Sequence, residues 1–292
     1  MRFWTLASAM NKTGLCAFWL RLHSRALSRV GLGLVLTVAL AGGLAPVLAP
    51  YDPTHQEFSD LLQGPSRQHP LGTDDLGRDV LSRLMWGVRV SLQVGVIAVG
   101  IALVTGTILG LLSGYIGGML DNWLMRLMDA LLAFPVLVLA LALAAILSPS
   151  LSNVMLAIGV VGVPTYARLV RGQVLSVREW EFVQAAKAVG GTDLRILLQH
   201  VLPNITAPII VEASLHIAAA TLAEAGLSFL GLGVQPPTPS WGAMLNVGRG
   251  YLEIAPWMAM AQGAAIFLTV LGFNFLGDGV RDALDPRLKQ LQ

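Results

Sequence analysis

Charge-free apolar stretches, each about as long as a bilayer crossing, limit most tightly how this chain can fold. A hydrocarbon core about 30 Å thick takes roughly 20 apolar residues as helix, because every backbone N–H and C=O must be satisfied within the segment. Residues 30–51 and 90–120 are such stretches. Residues 130–167 also lack charge but are too long for one crossing. Ser148, Pro149, Ser150, Ser152 and Asn153 interrupt them and read as a turn, which divides the region into helices 123–147 and 151–170. Residues 254–277 are another clean stretch, and 203–223 are apolar apart from Glu212 and His216. The expectation is an all-α integral membrane protein with six transmembrane helices. Composition points the same way. Charged residues are 12% and hydrophobic ones 55%, whereas a soluble domain carries about 25% charge.

Lys and Arg placement orients the spans. The tail before residue 30 carries Arg2, Lys12, Arg21, Arg25 and Arg29 and no acid. The segment between the fourth and fifth spans carries Arg168, Arg171, Arg178, Lys187 and Arg195, and the C-terminal tail Arg281, Arg287 and Lys289. With six crossings all three fall on one side, so both termini are expected in the cytoplasm. Arg21, Arg25 and Arg29 recur every four residues, the spacing of one helical face, and suit an interfacial helix against anionic lipid or plain topogenic charge. The first span reads as an uncleaved anchor rather than a signal peptide, since 29 residues precede it and its apolar run is long. The sole cysteine, Cys16, excludes an internal disulfide and a Cys-based metal cluster. A net charge of +2 gives no reason to expect a nucleic-acid partner. The chain therefore divides into a basic tail (1–29), a first helix with an outer segment (30–89), and a five-helix core (90–292) carrying a cytoplasmic loop (178–202).

The outer segment 52–89 reads as an elbow into the second span or, less simply, a ligand site. Thr73 or Asp74 is expected to cap a short amphipathic helix with Leu76, Val80, Leu81 and Leu84 on one face. The outer segment 224–255 is rich in Gly and Pro yet apolar. It suits a loop tucked against the bundle as gate lining, or an interfacial loop anchored by Trp241. On the cytoplasmic side, small residues at 185, 186 and 188 smooth one helix, Gly190 and Gly191 end it, and Thr192 or Asp193 starts another. Pro203 fits the first turn of the fifth span. Two short helices joined at a Gly elbow would make a knob suited to a partner's groove.

Within the spans, a charge at mid-bilayer costs about 2.5–3.5 kcal/mol on insertion scales. Glu212 and His216, four residues apart, are therefore expected to face a pore or a partner helix, or to form a buried polar pair joining two helices. The five histidines and ten methionines show no ligand spacing, so no metal or other cofactor is expected on this chain. There is no Gly-x-x-x-x-Gly-Lys-Ser/Thr phosphate loop. A membrane-embedded enzyme would need a constellation such as His-Glu-x-x-His, and a secondary carrier usually shows inverted repeats; neither pattern is evident.

Gln184, Ala185, Ala186, then Gly190, then Leu202 and Pro203 resemble the "EAA" loop of ABC importer permeases, with Gln184 and His200 where that motif has Glu and Ile. Blocks 69–80, 224–231, 235–237 and 274–286 are similar to the C-type permeases of dipeptide, oligopeptide and nickel importers. The resemblance covers residue 25 to the end. It implies a type I ABC importer permease in the bacterial inner membrane, forming half of a pore, most simply for di- or oligopeptides, with nickel or another small solute as the alternative. It implies that the six motif residues contact an ATP-binding subunit. The partners would be a second homologous permease, two ATP-binding subunits that use ATP and Mg, an extracytoplasmic substrate-binding protein and membrane lipid.

Overall fold

A computed structural model describes residues 18–23 and 25–284. Nine principal helices account for most of them. These are α1 (Ala26–Gly43), α2 (Val80–Ile116), α3 (Gly118–Leu132), α4 (Val136–Leu147), α5 (Leu151–Val177), α6 (Glu181–Ala188), α7 (Asp193–Phe229), α8 (Trp241–Gly248) and α9 (Trp257–Leu284). Five helices, α1, α2, α5, α7 and α9, are long and apolar enough to cross a membrane, and α3 with α4 makes a sixth span if the bent pair is counted as one.

The 123–147 stretch is not one helix, as the sequence suggested. It breaks at residues 133–135 and bends by 92°. Pro135 caps α4 at φ −55°, ψ 129°. A proline has no N–H to continue the ladder and disfavours helical geometry in the residue before it, so Phe134–Pro135 ends α3 although every nearby side chain is apolar. Two ion pairs fasten the redirected α3. Arg171 donates from Nε and Nη2 to the two carboxylate oxygens of Asp121, each at 2.6 Å, and Arg168 pairs with Asp129.

The bundle is built on α2 against α5. Ala98, Ala102, Gly106, Gly110 and Gly114 recur every four residues on one ridge of α2. A Cβ on Gly106 would lie 2.5 Å from Tyr166 Cβ, and one on Gly110 2.6 Å from Ala167 O. Lipid supplies no hydrophobic drive between helices, so such close backbone approach is what gains dispersion contact. On the far side of the bundle, Gly31 of α1 packs on α9, where a Cβ would come within 2.6 Å of Phe275 Cβ.

Several spans run beyond their apolar windows. α2 starts ten residues before position 90, across the boundary drawn between 89 and 90. Its N-cap is Asp79, which accepts from Ser82 N at 2.7 Å, rather than Thr73 or Asp74. Asp74 instead closes a turn, accepting from Leu76 N and Arg78 N at 2.9 Å and pairing with Arg78 Nε at 2.6 Å. The elbow so formed folds over the bundle end. His69 is buried, with Nδ1 3.0 Å from Asp79 Oδ1 and its ring stacked on Tyr51. Trp257 Nε1 donates to Thr73 O at 3.1 Å.

Pro203 sits in the first turn of the regular α-helix Leu202–Phe229, as expected, but the helical chain starts earlier. α7 runs continuously from Asp193 through a π turn at Leu197–Val201, in which Leu202 N–H bonds to Leu197 O. The extra residue in that turn accommodates a proline that cannot donate, and Asn204 Nδ2 donates to His200 O at 2.6 Å. At its other end α7 reaches Phe229, so Glu224 to Phe229 are helical rather than outer loop. Trp241 is buried and donates to Leu84 O at 2.9 Å, which removes the interfacial-anchor alternative. Arg25 has extended backbone, so Arg21, Arg25 and Arg29 do not share one continuous helix; Arg25 pairs with Asp282 instead. Cys16 and most of the 1–29 tail lie outside the described residues.

Candidate functional site

The knob forms as its residues demand. α6 ends in a Schellman turn: Gly190, at φ +87°, donates to Lys187 O at 3.0 Å, and Gly191 donates to Ala186 O at 3.0 Å. Glycine suits the first position because a left-handed residue with a Cβ is strained. The chain then turns at Thr192 into α7.

Inside the knob, Val183 and Ile196 are each 1% exposed and join Val170, Val174 and Val177 of α5, Leu111 of α2 and Ile205 of α7 in one cluster. The knob is therefore rooted in three spans rather than hung between two. Polar contacts add a second root. Arg178 Nη1 donates to Gly114 O at 2.9 Å. Tyr115, in the last turn of α2, donates to Asp193 Oδ1 at 2.8 Å and carries Lys187 Nζ over its ring at 5.4 Å. Tyr115 thus touches both halves of the knob, α6 and the start of α7.

Outside, the tip is apolar. Val189 is 89% exposed, Leu194 66% and Leu198 52%. Gln184 and Ala185 are also exposed, Gln184 Nε2 donating to Arg178 O at 2.9 Å, whereas Ala186 is half-buried against the inner cluster. Leu202 and Pro203 sit deeper, at the root of α7 beyond the π turn. The structure thus brings Gln184, Ala185, Ala186 and Gly190 together at the knob and leaves Leu202 and Pro203 to anchor it.

Glu212 and His216 share a face of α7 but do not meet. His216 lies against α5, with Nδ1 3.3 Å from Tyr166 Oη and its ring where a Cβ on Gly162 would sit. Glu212 is half-buried. A second acid, in the stretch expected to be outer segment, is more deeply placed: Glu224 is fully buried. It accepts from Ser228 Oγ at 2.7 Å and from Ser91 Oγ of α2 at 3.4 Å, joining α7 to α2. The signal for it was available, since Glu224 and Ser228 are four apart in an unbroken apolar run. Among the described residues, no group of three or more His, Cys, Asp or Glu side chains could hold a metal ion.

The chain is similar to known proteins in sequence and in fold. Residues 106–290 match the family model described as binding-protein-dependent transport system inner membrane component. Residues 17–65 match the N-terminal TM domain of oligopeptide transport permease C. The chain is 49% identical to a dipeptide transport system permease protein of Alkalihalophilus pseudofirmus, over 92% of this chain and 88% of that one. It is 44% identical to one of Haemophilus influenzae, over 96% and 97%. Against a glutathione transport system permease protein of Pectobacterium atrosepticum identity is 45%, over 93% and 91%. In fold it is similar to a chain of the inward-facing MetNI methionine ABC transporter, with TM-score 0.54 and 20% identity, over 69% of this chain and 96% of that one.

Proposed function

The chain belongs to the family of inner membrane components of binding-protein-dependent transport systems, and we propose that it forms half of the translocation pore of an ATP-driven importer of short peptides. Members of this family are permease subunits of ABC importers and not enzymes, and their place is the inner membrane. Peptides are the proposed cargo because the relatives quoted above are named for dipeptides and for glutathione, itself a tripeptide.

The observation that carries the mechanism is the rooted, apolar-tipped knob. A permease without an ATP site must receive work through a contact. The knob offers Val189, Leu194 and Leu198 to a partner. Its inner side is packed on α2, α5 and α7, so displacement of the tip moves three spans together instead of flexing a loop. Two ATP-binding subunits, which bind ATP and Mg, would dock at this knob and its counterpart on a second permease. A substrate-binding protein would deliver peptide at the opposite, elbow-covered end. With the knob cytoplasmic, both termini are cytoplasmic too.

Cysteine substitution tests the docking and the orientation together. In a Cys16→Ser background, Val189→Cys should cross-link to the ATP-binding subunit in the assembled complex. Ser59→Cys and Gln235→Cys should react with an impermeant thiol reagent from outside, and Thr192→Cys should not. Outside labelling at Thr192 would reverse the topology, and cross-linking of Val189 only to lipid or to the second permease would end the docking assignment.

A further inference from the structure

A groove of about 320 Å³ opens between α1, α2 and α9 at the elbow-covered end of the bundle. Its walls include Thr37 of α1, Val88 of α2, and Ala264 and Leu268 of α9, with Leu71 of the elbow and Trp241 closing it. Two of these side chains carry a nitrogen or oxygen, and both donate to backbone carbonyls. Thr37 Oγ1 donates to Gly33 O at 2.8 Å within its own helix, and Trp241 Nε1 donates to Leu84 O at 2.9 Å. The lining therefore offers an occupant no free donor and only the acceptor lone pairs of Thr37 Oγ1, and a peptide or other polar solute would lose most of its water there without replacement.

Hydrocarbon has no such cost. Thr37 and Ala264 are exposed, and Leu268 is 41% exposed, so the groove opens outward between spans, where the solvent is lipid. The charge beside the groove also suits a lipid. Arg89, exposed on α2, lies one turn from the lining residue Met85 on the same ridge. Its guanidinium stacks 4.8 Å over Trp86. An arginine with an aromatic neighbour near a membrane boundary is placed to meet a phosphate.

We infer that this groove is a phospholipid site, taking an acyl chain of the leaflet on the elbow side between α1 and α9, with the headgroup phosphate at Arg89. A chain seated there fills the gap between the outermost span and the core.

The test uses the assembled complex with its partner subunits, in nanodiscs doped with phosphatidylglycerol or diacylglycerol carrying the same diazirine acyl chain. Illumination followed by residue-level mapping should place label on Thr37, Ala41, Ala264 and Leu268 in preference to Phe267 and Ile108. Labelling by phosphatidylglycerol should exceed that by diacylglycerol, and Arg89→Gln should remove the difference. Ala264→Trp and Thr37→Trp fill the groove from opposite walls. Each substitution should remove the excess of groove labelling over the labelling of Phe267 and Ile108, because filling the groove leaves only the chain's exchange with bulk lipid. Two substitutions from different helices guard against one that fails to assemble. Equal labelling of Phe267 and Ile108, unaffected by either tryptophan, would mean ordinary lipid solvation and overturn the site. Equal labelling by the two lipids would overturn its assignment to a phospholipid. A photoreactive residue at Ala264 that captures the second permease would make the groove a protein interface.

Discussion

Replacing Gly190 tests the knob at the one position where backbone geometry alone decides the outcome. Its φ is +87°, and a Cβ built there meets nothing within 4 Å. Gly190→Ala therefore introduces no collision, and its whole effect is the strain of an L-residue in left-handed backbone, about 1–2 kcal/mol. Relief requires opening the Schellman turn, which breaks the bonds from Gly190 N to Lys187 O and from Gly191 N to Ala186 O. A change of that size alters the open-to-closed ratio of the turn by about 5–30-fold. Hydrogen exchange on the purified complex should show the amides of residues 190 and 191 exchanging faster by that factor, with the amides of α5 unchanged. Gly190→Val should exceed Gly190→Ala, because a β-branched residue tolerates positive φ least. Stimulation of ATP turnover by the loaded substrate-binding protein should fall in the same order. Unchanged exchange in both variants would refute the assigned turn. Faster exchange with unaltered stimulation would refute the claim that the turn transmits force.

Three other substitutions probe separate parts of the structure. Asp79→Ala removes the α2 N-cap and the carboxylate beside His69. It should cost at least about 0.5–2 kcal/mol, seen as a lower thermal midpoint of the solubilised protein, and Asp79→Asn should cost less because an acceptor remains. Burial, with the Asp74 carboxylate alongside, pushes the Asp75 carboxyl above its ordinary value. The folded protein then binds that proton more tightly than the unfolded chain, so stability falls as pH rises through the carboxylate range. Asp75→Asn should be the more stable protein at pH 7, and its advantage should vanish below about pH 4; an advantage independent of pH would contradict this. Glu212→Gln should alter transport per complex while leaving assembly intact. Failed assembly with normal residual transport would make Glu212 a helix-joining residue.

Much of this fold was legible in the sequence because lipid imposes a simple rule: charge-free runs of about twenty residues cross, and charges mark the ends. The same rule misplaced boundaries, since a helix does not stop where its apolar window stops. α2 begins at Val80 amid Arg83 and Arg89, and α7 begins at Asp193, because helical hydrogen bonding continues into water when a cap or a packed face supports it. The break at Phe134–Pro135 was hidden for the opposite reason, as hydropathy does not register a missing N–H. The Gly190 elbow was readable because a glycine pair after small residues has few other uses. Tyr115 was not readable as part of the knob, because its partners Lys187 and Asp193 are more than seventy residues away in sequence. Glu224 was hard to place because the Gly and Pro beyond Phe229 give its surroundings the composition of a loop, although the helix continues past it.

In the mechanism proposed above, the chain passes work from ATP-binding subunits to a pore through the knob. The most direct test is the whole complex in liposomes, with uptake of a labelled dipeptide and ATP turnover measured in one sample. Wild-type complex should take up dipeptide only with ATP and loaded substrate-binding protein. Ala185→Trp, on the exposed face of α6, should abolish uptake and stimulated turnover together by blocking the docking contact. Uptake that persists without ATP, or an Ala185→Trp complex that couples turnover to uptake as the wild type does, would rule out transmission through the knob.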